Sequence, residues 1–419
     1  MHRAKPAENK HDSRTLSGKN FLRALPRRCY YRREIETPVT TMTPAAVNAT
    51  RILLPHSPRP GRVYNFSAGP ACMPESVLEQ LREELIDCRG CGIGLLELSH
   101  RGAIYDALNN EAEAACRSAA GAPNSHAVFF MPGGATMQFG LLPLNFVPED
   151  GTASYIDTSI WSAKAASEAA RCRNTRIVFE GKKVGYARVP KAGEFEQVAA
   201  AKYLFYCQNN TVEGTTFWEP PETTTPLIGD ATSDIFSRPW SVEKHAMILA
   251  AGQKNLGAAG ASVVIAKKDF LASATTKLPT ILRFEDHANA RSILNTPPTF
   301  AIRLMGLMAE WTIKVGGPTV LAKANAEKAN MLWDAVDASR GFYSWGADKW
   351  CRSHMNICFR SPNAALDAKF VAEAEKHELF GLVGHREAGG MRASMYNAFP
   401  ANGCTILAQF MGEFARVHG

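Results

Sequence analysis

One lysine, Lys254, sits in the stretch Ile248-Leu249-Ala250-Ala251-Gly252-Gln253-Lys254-Asn255-Leu256-Gly257-Ala258-Ala259-Gly260. The stretch opens as a buried apolar strand and closes as a small-residue loop. An ammonium is costly to desolvate, and burial lowers its pKa. A lysine at the exit of such a strand suits an amine that forms a Schiff base with a carbonyl. The bland alternative is an exposed turn lysine, and this stretch alone does not separate the two. Other residues with chemical potential recur after apolar runs. Ser99-His100-Arg101-Gly102 offers a cationic pair for an anion, since guanidinium binds carboxylate or phosphate bidentately. Pro132-Gly133-Gly134-Ala135-Thr136-Met137-Gln138 joins a strand to a helix start, where free backbone N–H groups attract an anion. It has neither the P-loop ending nor the G-x-G-x-x-G spacing. Trp161, Thr211 and Asp230 each follow or end an apolar run. Gly384-His385-Arg386, with Arg392 six residues on, is a second cationic cluster.

The elements that must position these residues follow from pattern. Ala127–Met131, Ala153–Asp157, Tyr203–Cys207, Pro226–Asp230, Ile248–Ala251 and Ala261–Ala266 read as apolar strands. Helical stretches alternate with them, which predicts a mostly parallel α/β sheet. In such sheets ligands gather at the carboxyl ends of strands. His100, Gly133–Thr136, Trp161, Thr211, Asp230 and Lys254 are all placed at strand exits on this reading. A helix is expected from Pro74 to about Cys88, with Val77, Leu78, Leu81 and Leu85 on one face. Another runs roughly from Phe300 to Val315 after Asn295-Thr296-Pro297-Pro298. A smaller α/β unit then follows: helix 319–338, strand 354–360, helix 368–379, strand 391–394 and a final helix near 403–417. The domain reading is a basic extension over 1–60, a large domain over 61–315 and a small C-terminal domain over 316–419. The segment opening the large domain is expected to pack on the small one.

Composition bounds the rest. Of 419 residues, 46% are hydrophobic and 21% charged, an ordinary globular balance. No apolar run approaches the roughly 18 residues of a membrane span. Residues 1–60 hold twelve basic and four acidic side chains, a net +8, so the remainder of this +7 chain carries −1. That does not describe a nucleic-acid-binding surface. The extension reads either as an organelle transit segment or as a dispensable tail, giving cytoplasm, or plastid or mitochondrion, as the location. The ten cysteines are scattered, which indicates free thiols. Cys88 and Cys91 form a CxxC with no partner pair, and no metal is expected.

Lysine, carboxylate, aromatic ring and anion cradle together are the needs of pyridoxal phosphate. Lys254 would take the aldehyde, Asp230 the pyridine nitrogen, Trp161 the ring face, and Ala135, Thr136 and Gln253 the phosphate. Several stretches carry a specific resemblance: Asn65-Phe66-Ser67-Ala68-Gly69-Pro70, Ser99–Gly102, Ser237-Arg238-Pro239, Gly252–Asn255, Asn295–Phe300, and Gly384–Arg386 through Gly389-Gly390-Met391-Arg392-Ala393-Ser394. Across about residues 63–419 the chain resembles the phosphoserine aminotransferase family, in class V and of fold type I. The resemblance implies a large domain with a mostly parallel seven-stranded sheet and a smaller α/β domain. It implies pyridoxal 5'-phosphate on Lys254 as an internal aldimine, with L-glutamate as donor and 3-phosphohydroxypyruvate as acceptor, giving O-phospho-L-serine and 2-oxoglutarate in serine biosynthesis. 3-Hydroxy-2-oxo-4-phosphobutanoate, from vitamin B6 synthesis, is an open second acceptor. The resemblance adds Thr211 to the cofactor contacts. It implies a homodimer in which Asn295 and Thr296 reach the neighbouring cofactor phosphate. His100, Arg101, His385, Arg386 and Arg392 then bind substrate anions, with Arg392 on the shared carboxylate. Ala135 and Met137 stand where the family usually has glycines. A rival within the same chemistry, cysteine desulfuration, would need a mobile loop cysteine such as Cys351. A non-catalytic binding protein on the same fold is the other rival, and Lys254, Asp230 and Trp161 speak against it.

Overall fold

A central sheet of seven strands organises the chain in a computed structural model that describes residues 61–419. The basic extension, and the targeting reading attached to it, lie outside the described residues. In chain order the elements begin β1 (Tyr64–Asn65), α1 (Glu75–Glu84), α2 (Ala103–Ala120), β2 (His126–Pro132), α3 (Ala135–Phe146), β3 (Thr152–Asp157), α4 (Ile160–Ala170) and β4 (Asn174–Glu180). Next come β5 (Ala201–Cys207), the short pair β6 (Asn209–Asn210) and β7 (Thr215–Thr216), β8 (Leu227–Asp230), β9 (Met247–Ala251), β10 (Ala261–Lys267), α5 (Lys268–Ala272) and α6 (Phe284–Asn289). The chain ends with α7 (Thr299–Lys314), α8 (Gly317–Asp337), β11 (Asn356–Phe359), α9 (Ala364–Lys376), β12 (Leu379–Phe380), β13 (Met391–Ser394) and α10 (Ala401–His418).

The sheet runs β2-β10-β9-β8-β5-β3-β4. Every neighbouring pair is parallel except those made by β10, which lies antiparallel between β2 and β9. The strands read as unbroken apolar runs because both faces are covered. Phe129, Met131, Met247, Leu249 and Val264 point to one face, against α3, α4 and α6. Val128, Phe130, Ile248, Ala250, Val263 and Ile265 point to the other, against α2 and α7. The period of two divides each run between two cores.

A second core forms from α8, α9, α10, β11 and β13, around Trp333, Tyr343, Phe359, Phe370, Phe399 and Phe414. Phe66 is fully buried within it, and β1 pairs in parallel with β12. Lys328 of α8 is fully buried here. Its ammonium donates to the carbonyls of Met395 (3.3 Å), Tyr396 (2.9 Å), Asn397 (3.4 Å) and Phe399 (3.2 Å), in the turn between β13 and α10.

Two expectations need correction. The helix expected to reach Cys88 stops at Glu84. The chain then folds back, and Leu95 N–H donates to the Glu84 carbonyl (2.8 Å), which leaves Leu85 exposed. Glu84 is buried there against Arg303 of α7 in a bidentate pair (2.8 and 2.6 Å), a contact no apolar pattern signals. Strand β4, absent from the six apolar strands expected, carries only the short apolar run Ile177-Val178-Phe179. It is the sheet edge, and Val178 is its single fully buried residue.

Candidate active site

Lys254 lies in the loop that joins β9 to β10, three residues past the buried end of β9. Gly252 N–H donates to the Ala261 carbonyl (2.9 Å) and closes this hairpin. A side chain at Gly252 would collide with the Ala258 carbonyl, so glycine is required. The loop is tied on two further sides. Ala71 N–H donates to the Gln253 carbonyl (3.1 Å), and Asn397 N–H donates to Asn255 Oδ1 (2.9 Å). Burial pushes the Lys254 ammonium down to about 8, with the nearby Arg392 charge adding to that and Asp230 opposing it. A primary amine in that range is a competent nucleophile near neutral pH.

Asp230 is the last residue of β8 and is paired in register with Leu249 of β9 and Cys207 of β5. It is 7% exposed. Its Oδ1 accepts from Thr232 N–H (2.9 Å), while Thr232 Oγ1 accepts from Ala251 N–H (3.1 Å). Burial raises the Asp230 carboxyl, and the Thr232 bonds and the Lys254 charge work the other way. Thr232 thus couples the carboxylate to the strand that carries the lysine. Nothing in its local sequence signals that role.

Trp161 is the second residue of α4, directly beyond β3. Ser159 caps this helix, accepting from the Trp161 and Ser162 amides (both 3.2 Å). The indole Nε1–H donates to Thr211 Oγ1 (3.1 Å), and the Thr211 carbonyl accepts from Arg392 Nη1 (3.0 Å). The His385 ring meets the indole edge-on, with centroids 6.4 Å apart. Through Thr211, sheet-face residues and the β13 arginine share one constellation. At the start of α3, Gly133 has φ +81°, which favours glycine, and no side chain caps the helix. The Ala135 and Thr136 amides therefore belong to an uncapped N-terminus, at the end of β2. Met137 and Thr136 are exposed, while Gln138 turns inward and donates to the Pro132 carbonyl (3.1 Å).

Other expected residues stand apart. His100 and Arg101 lie in a turn before α2, not at a strand exit. Asn295 and Thr296 are exposed, as is Arg386. Among the described residues no hydrogen bond or ion pair joins these five to the Lys254 cluster. Cys351 is fully buried in a short turn, with its thiol pushed up by burial and directed at the Ala187 and Asp348 carbonyls. That is the opposite of the mobile acceptor that desulfuration needs. Cys88 is likewise buried with a raised thiol. A cavity of about 1340 Å³ opens at the opposite, amino-terminal edge of the sheet, beside Lys202, Lys244 and Lys267, and none of the candidate residues lines it.

The Aminotransferase class-V family profile matches residues 63–407. The phosphoserine aminotransferase of Niallia circulans is 41% identical over 359 residues, 85% of this chain and 99% of the relative. That of Pseudomonas fluorescens (strain SBW25) is 42% identical over 359 residues, with the same coverage. Among solved structures, phosphoserine aminotransferase from Bacillus circulans subsp. alkalophilus superposes with a TM-score of 0.83 at 41% identity, covering 85% of this chain and 99% of its own. The pyridoxal-phosphate-bound phosphoserine aminotransferase from Trichomonas vaginalis gives 0.80 at 34% identity, covering 84% and 99%. Among the described residues no helix is long and apolar enough to cross a membrane. By profile, by relatives and by fold, the chain belongs to the class-V aminotransferases, within the phosphoserine aminotransferase family, and is a pyridoxal-phosphate-dependent transaminase.

Proposed function

We propose that the chain transfers the amino group of L-glutamate to 3-phosphohydroxypyruvate, giving O-phospho-L-serine and 2-oxoglutarate. The observation that carries this is the convergence of Lys254, Asp230, Trp161, Thr211 and Arg392 at the carboxyl edge of one sheet. The residues present fit pyridoxal 5'-phosphate. A lysine held at about 8 suits an aldehyde, and a buried carboxylate beside it suits a pyridinium. An uncapped helix N-terminus suits a phosphate. Bound there, the cofactor supplies the electron sink that lets an α-proton leave.

The chain's own residues do the rest. Lys254 would hold the cofactor through its aldehyde, and its amine would serve as the base that moves the proton at the substrate's α-carbon. Asp230 keeps the pyridine nitrogen protonated. Trp161 covers the ring face, with Thr211 fixing the indole. Ala135, Thr136 and Gln253 hold the phosphate. Arg392 takes the α-carboxylate common to both substrates. His100, Arg101, His385 and Arg386 take the distal anion, a carboxylate in one substrate and a phosphate in the other. Because Asn295, Thr296, His100 and Arg101 stand clear of the cluster within one chain, the reading includes a homodimer whose subunits complete each other's sites. The two separate cores support a large domain over 61–315 and a small one over 316–419, with the β1 segment packed on the latter. 3-Hydroxy-2-oxo-4-phosphobutanoate, which has the same two anions, is a second acceptor on this reading.

The test is a coupled assay with glutamate and 3-phosphohydroxypyruvate, run beside unphosphorylated hydroxypyruvate. Turnover strongly favouring the phosphorylated acceptor is expected. Equal use of both acceptors would remove the phosphate-reading role.

A further inference from the structure

We propose that Glu213 is a positioning residue for Trp161, clamping the indole-bearing end of α4 to the turn that holds the indole itself; this rests on the site reading given above. The turn is Thr211–Gly214, between β6 and β7, closed by Gly214 N–H donating to the Asn210 carbonyl (2.9 Å). Thr211 grips the ring through Nε1 (3.1 Å). Two residues on, Glu213 Oε1 accepts from Ile160 N–H (3.0 Å), the amide directly before Trp161. Ser159 already satisfies the next two amides of α4. Glu213 therefore serves to fix the helix start against the turn, and both the backbone and the ring of Trp161 are held from one four-residue unit.

The turn is itself anchored from the second core. Trp345 Nε1–H donates to the Glu213 carbonyl (2.8 Å), and Ser353 N–H donates to the Gly214 carbonyl (2.8 Å). The Thr211 carbonyl accepts from Arg392. The Glu213 side chain thus closes a link between the proposed ring-covering residue and the proposed carboxylate-binding residue.

Glu213 is 8% exposed, and its Oε2 is buried with no hydrogen-bond partner. Burial holds it up to about 7. The titratable groups that face it are Asp157 at the end of β3, Tyr186 beyond β4, Cys207 of β5 and Cys358 of β11. Asp157 is a like charge and raises Glu213 further. When ionised, Glu213 makes a charge-assisted bond to Ile160 N–H at the positive end of α4, and when protonated a weaker neutral one. The clamp on Trp161 tightens as pH rises through about 7.

The experiment titrates pyridoxal phosphate into the full-length apo chain, reading tryptophan quenching for affinity and the visible circular dichroism of the bound cofactor for ring orientation. Both are measured at pH values bracketing the Glu213 ionisation, in wild type, Glu213→Ala and Glu213→Gln. Loss of the clamp in Glu213→Ala should weaken binding about tenfold and shrink the dichroic band. Glu213→Gln keeps an acceptor for Ile160 and should bind well, but without the wild-type gain across that pH range. The Lys254 titration is common to both and cancels in the comparison. The proposal is overturned if Glu213→Ala keeps wild-type affinity and dichroism, or loses only thermal stability. It is equally overturned if Glu213→Gln keeps the wild-type pH profile, the arm that decides the matter should Glu213→Ala not fold. Failure of the wild-type chain to bind pyridoxal phosphate at all would instead sink the functional reading beneath it.

Discussion

Burial at the hairpin loop gives Lys254 its chemistry. With a pKa of about 8, roughly a tenth of the amines are neutral at pH 7, against a few in ten thousand for an ordinary lysine. Capture of pyridoxal phosphate by the apo chain should therefore speed up with pH and level off above about 8. Stopped-flow absorbance would show this, and a rate still climbing at pH values typical of free lysine would refute the lowered pKa. Asp230→Asn removes the charge that supports the ammonium, so the midpoint should fall in that variant while turnover collapses. On the proposed reading, two arginines would divide the substrate's anions. Arg392 is part-buried and hydrogen-bonded to Thr211, whereas the Arg386 side chain is 88% exposed. Losing a charge-assisted contact costs about 1.5–3 kcal/mol, on the order of tenfold to a hundredfold. Arg392→Ala should slow single-turnover bleaching by every amino donor, alanine included. Arg386→Leu should slow glutamate and spare alanine, and equal slowing of both would deny Arg386 the distal anion. Lys254, Asp230 and Trp161 stood out in the sequence because their types are odd at strand exits, and Arg392 because it closes a cationic cluster. Thr232 and Glu213 did not, since each accepts from a backbone amide, of Ala251 and of Ile160, that only the folded chain brings near.

At the scale of elements, the turn between β13 and α10 is held by the buried Lys328 together with Asn325, which donates to Asn397 Oδ1 (2.9 Å). Lys328 satisfies four carbonyls there, and the turn's Asn397 in turn holds Asn255, next to Lys254. Lys328→Met would leave the Met395, Asn397 and Phe399 carbonyls without this donor, at about 1–3 kcal/mol for each that water does not reach, while the Tyr396 carbonyl keeps the Phe399 N–H. Thermal unfolding should move down by several degrees, and pyridoxal phosphate affinity should fall with it because the lysine loop loses a support. A variant as stable as wild type would mean that the turn is held without Lys328. Lys328 falls on the buried stripe of α8, in step with Leu321, Ala324, Leu332 and Val336, so its residue type and not its position conceals the burial, and the four carbonyls of the β13–α10 turn accommodate the charge. Six sheet strands were legible because both faces demand apolar residues. The seventh, β4, was not, since only Ile177-Val178-Phe179 of its seven residues are apolar and polar or charged residues fill the rest. The overrun of α1 has a similar cause, for Leu85 continues the apolar spacing but its helix has already turned away.

Across the whole molecule, charge and site assembly make separate predictions. Residues 1–60 carry a net +8 and no core-forming pattern in their sequence, and among the described residues strand pairing begins at Tyr64, so a chain beginning at Gly61 should keep its kcat and KM. Loss of activity in a folded chain of that length would give the extension a catalytic role. Assembly of the site can be tested by mixing dead subunits. If the partner subunit's His100 and Arg101 serve the Lys254 site, a Lys254→Ala subunit paired with a His100→Ala/Arg101→Ala subunit places both lesions in one site. The other site then holds an intact lysine and an intact His-Arg pair. Random assortment makes about half the dimers hybrid, each with one good site, so turnover should return to roughly a quarter of wild type. If the pair instead serves its own subunit's lysine, every hybrid site keeps one lesion and the mixture stays as slow as its parents. Arg101 is exposed and His100 half-buried, and among the described residues no hydrogen bond or ion pair ties either to the Lys254 cluster of its own subunit, which favours the first outcome.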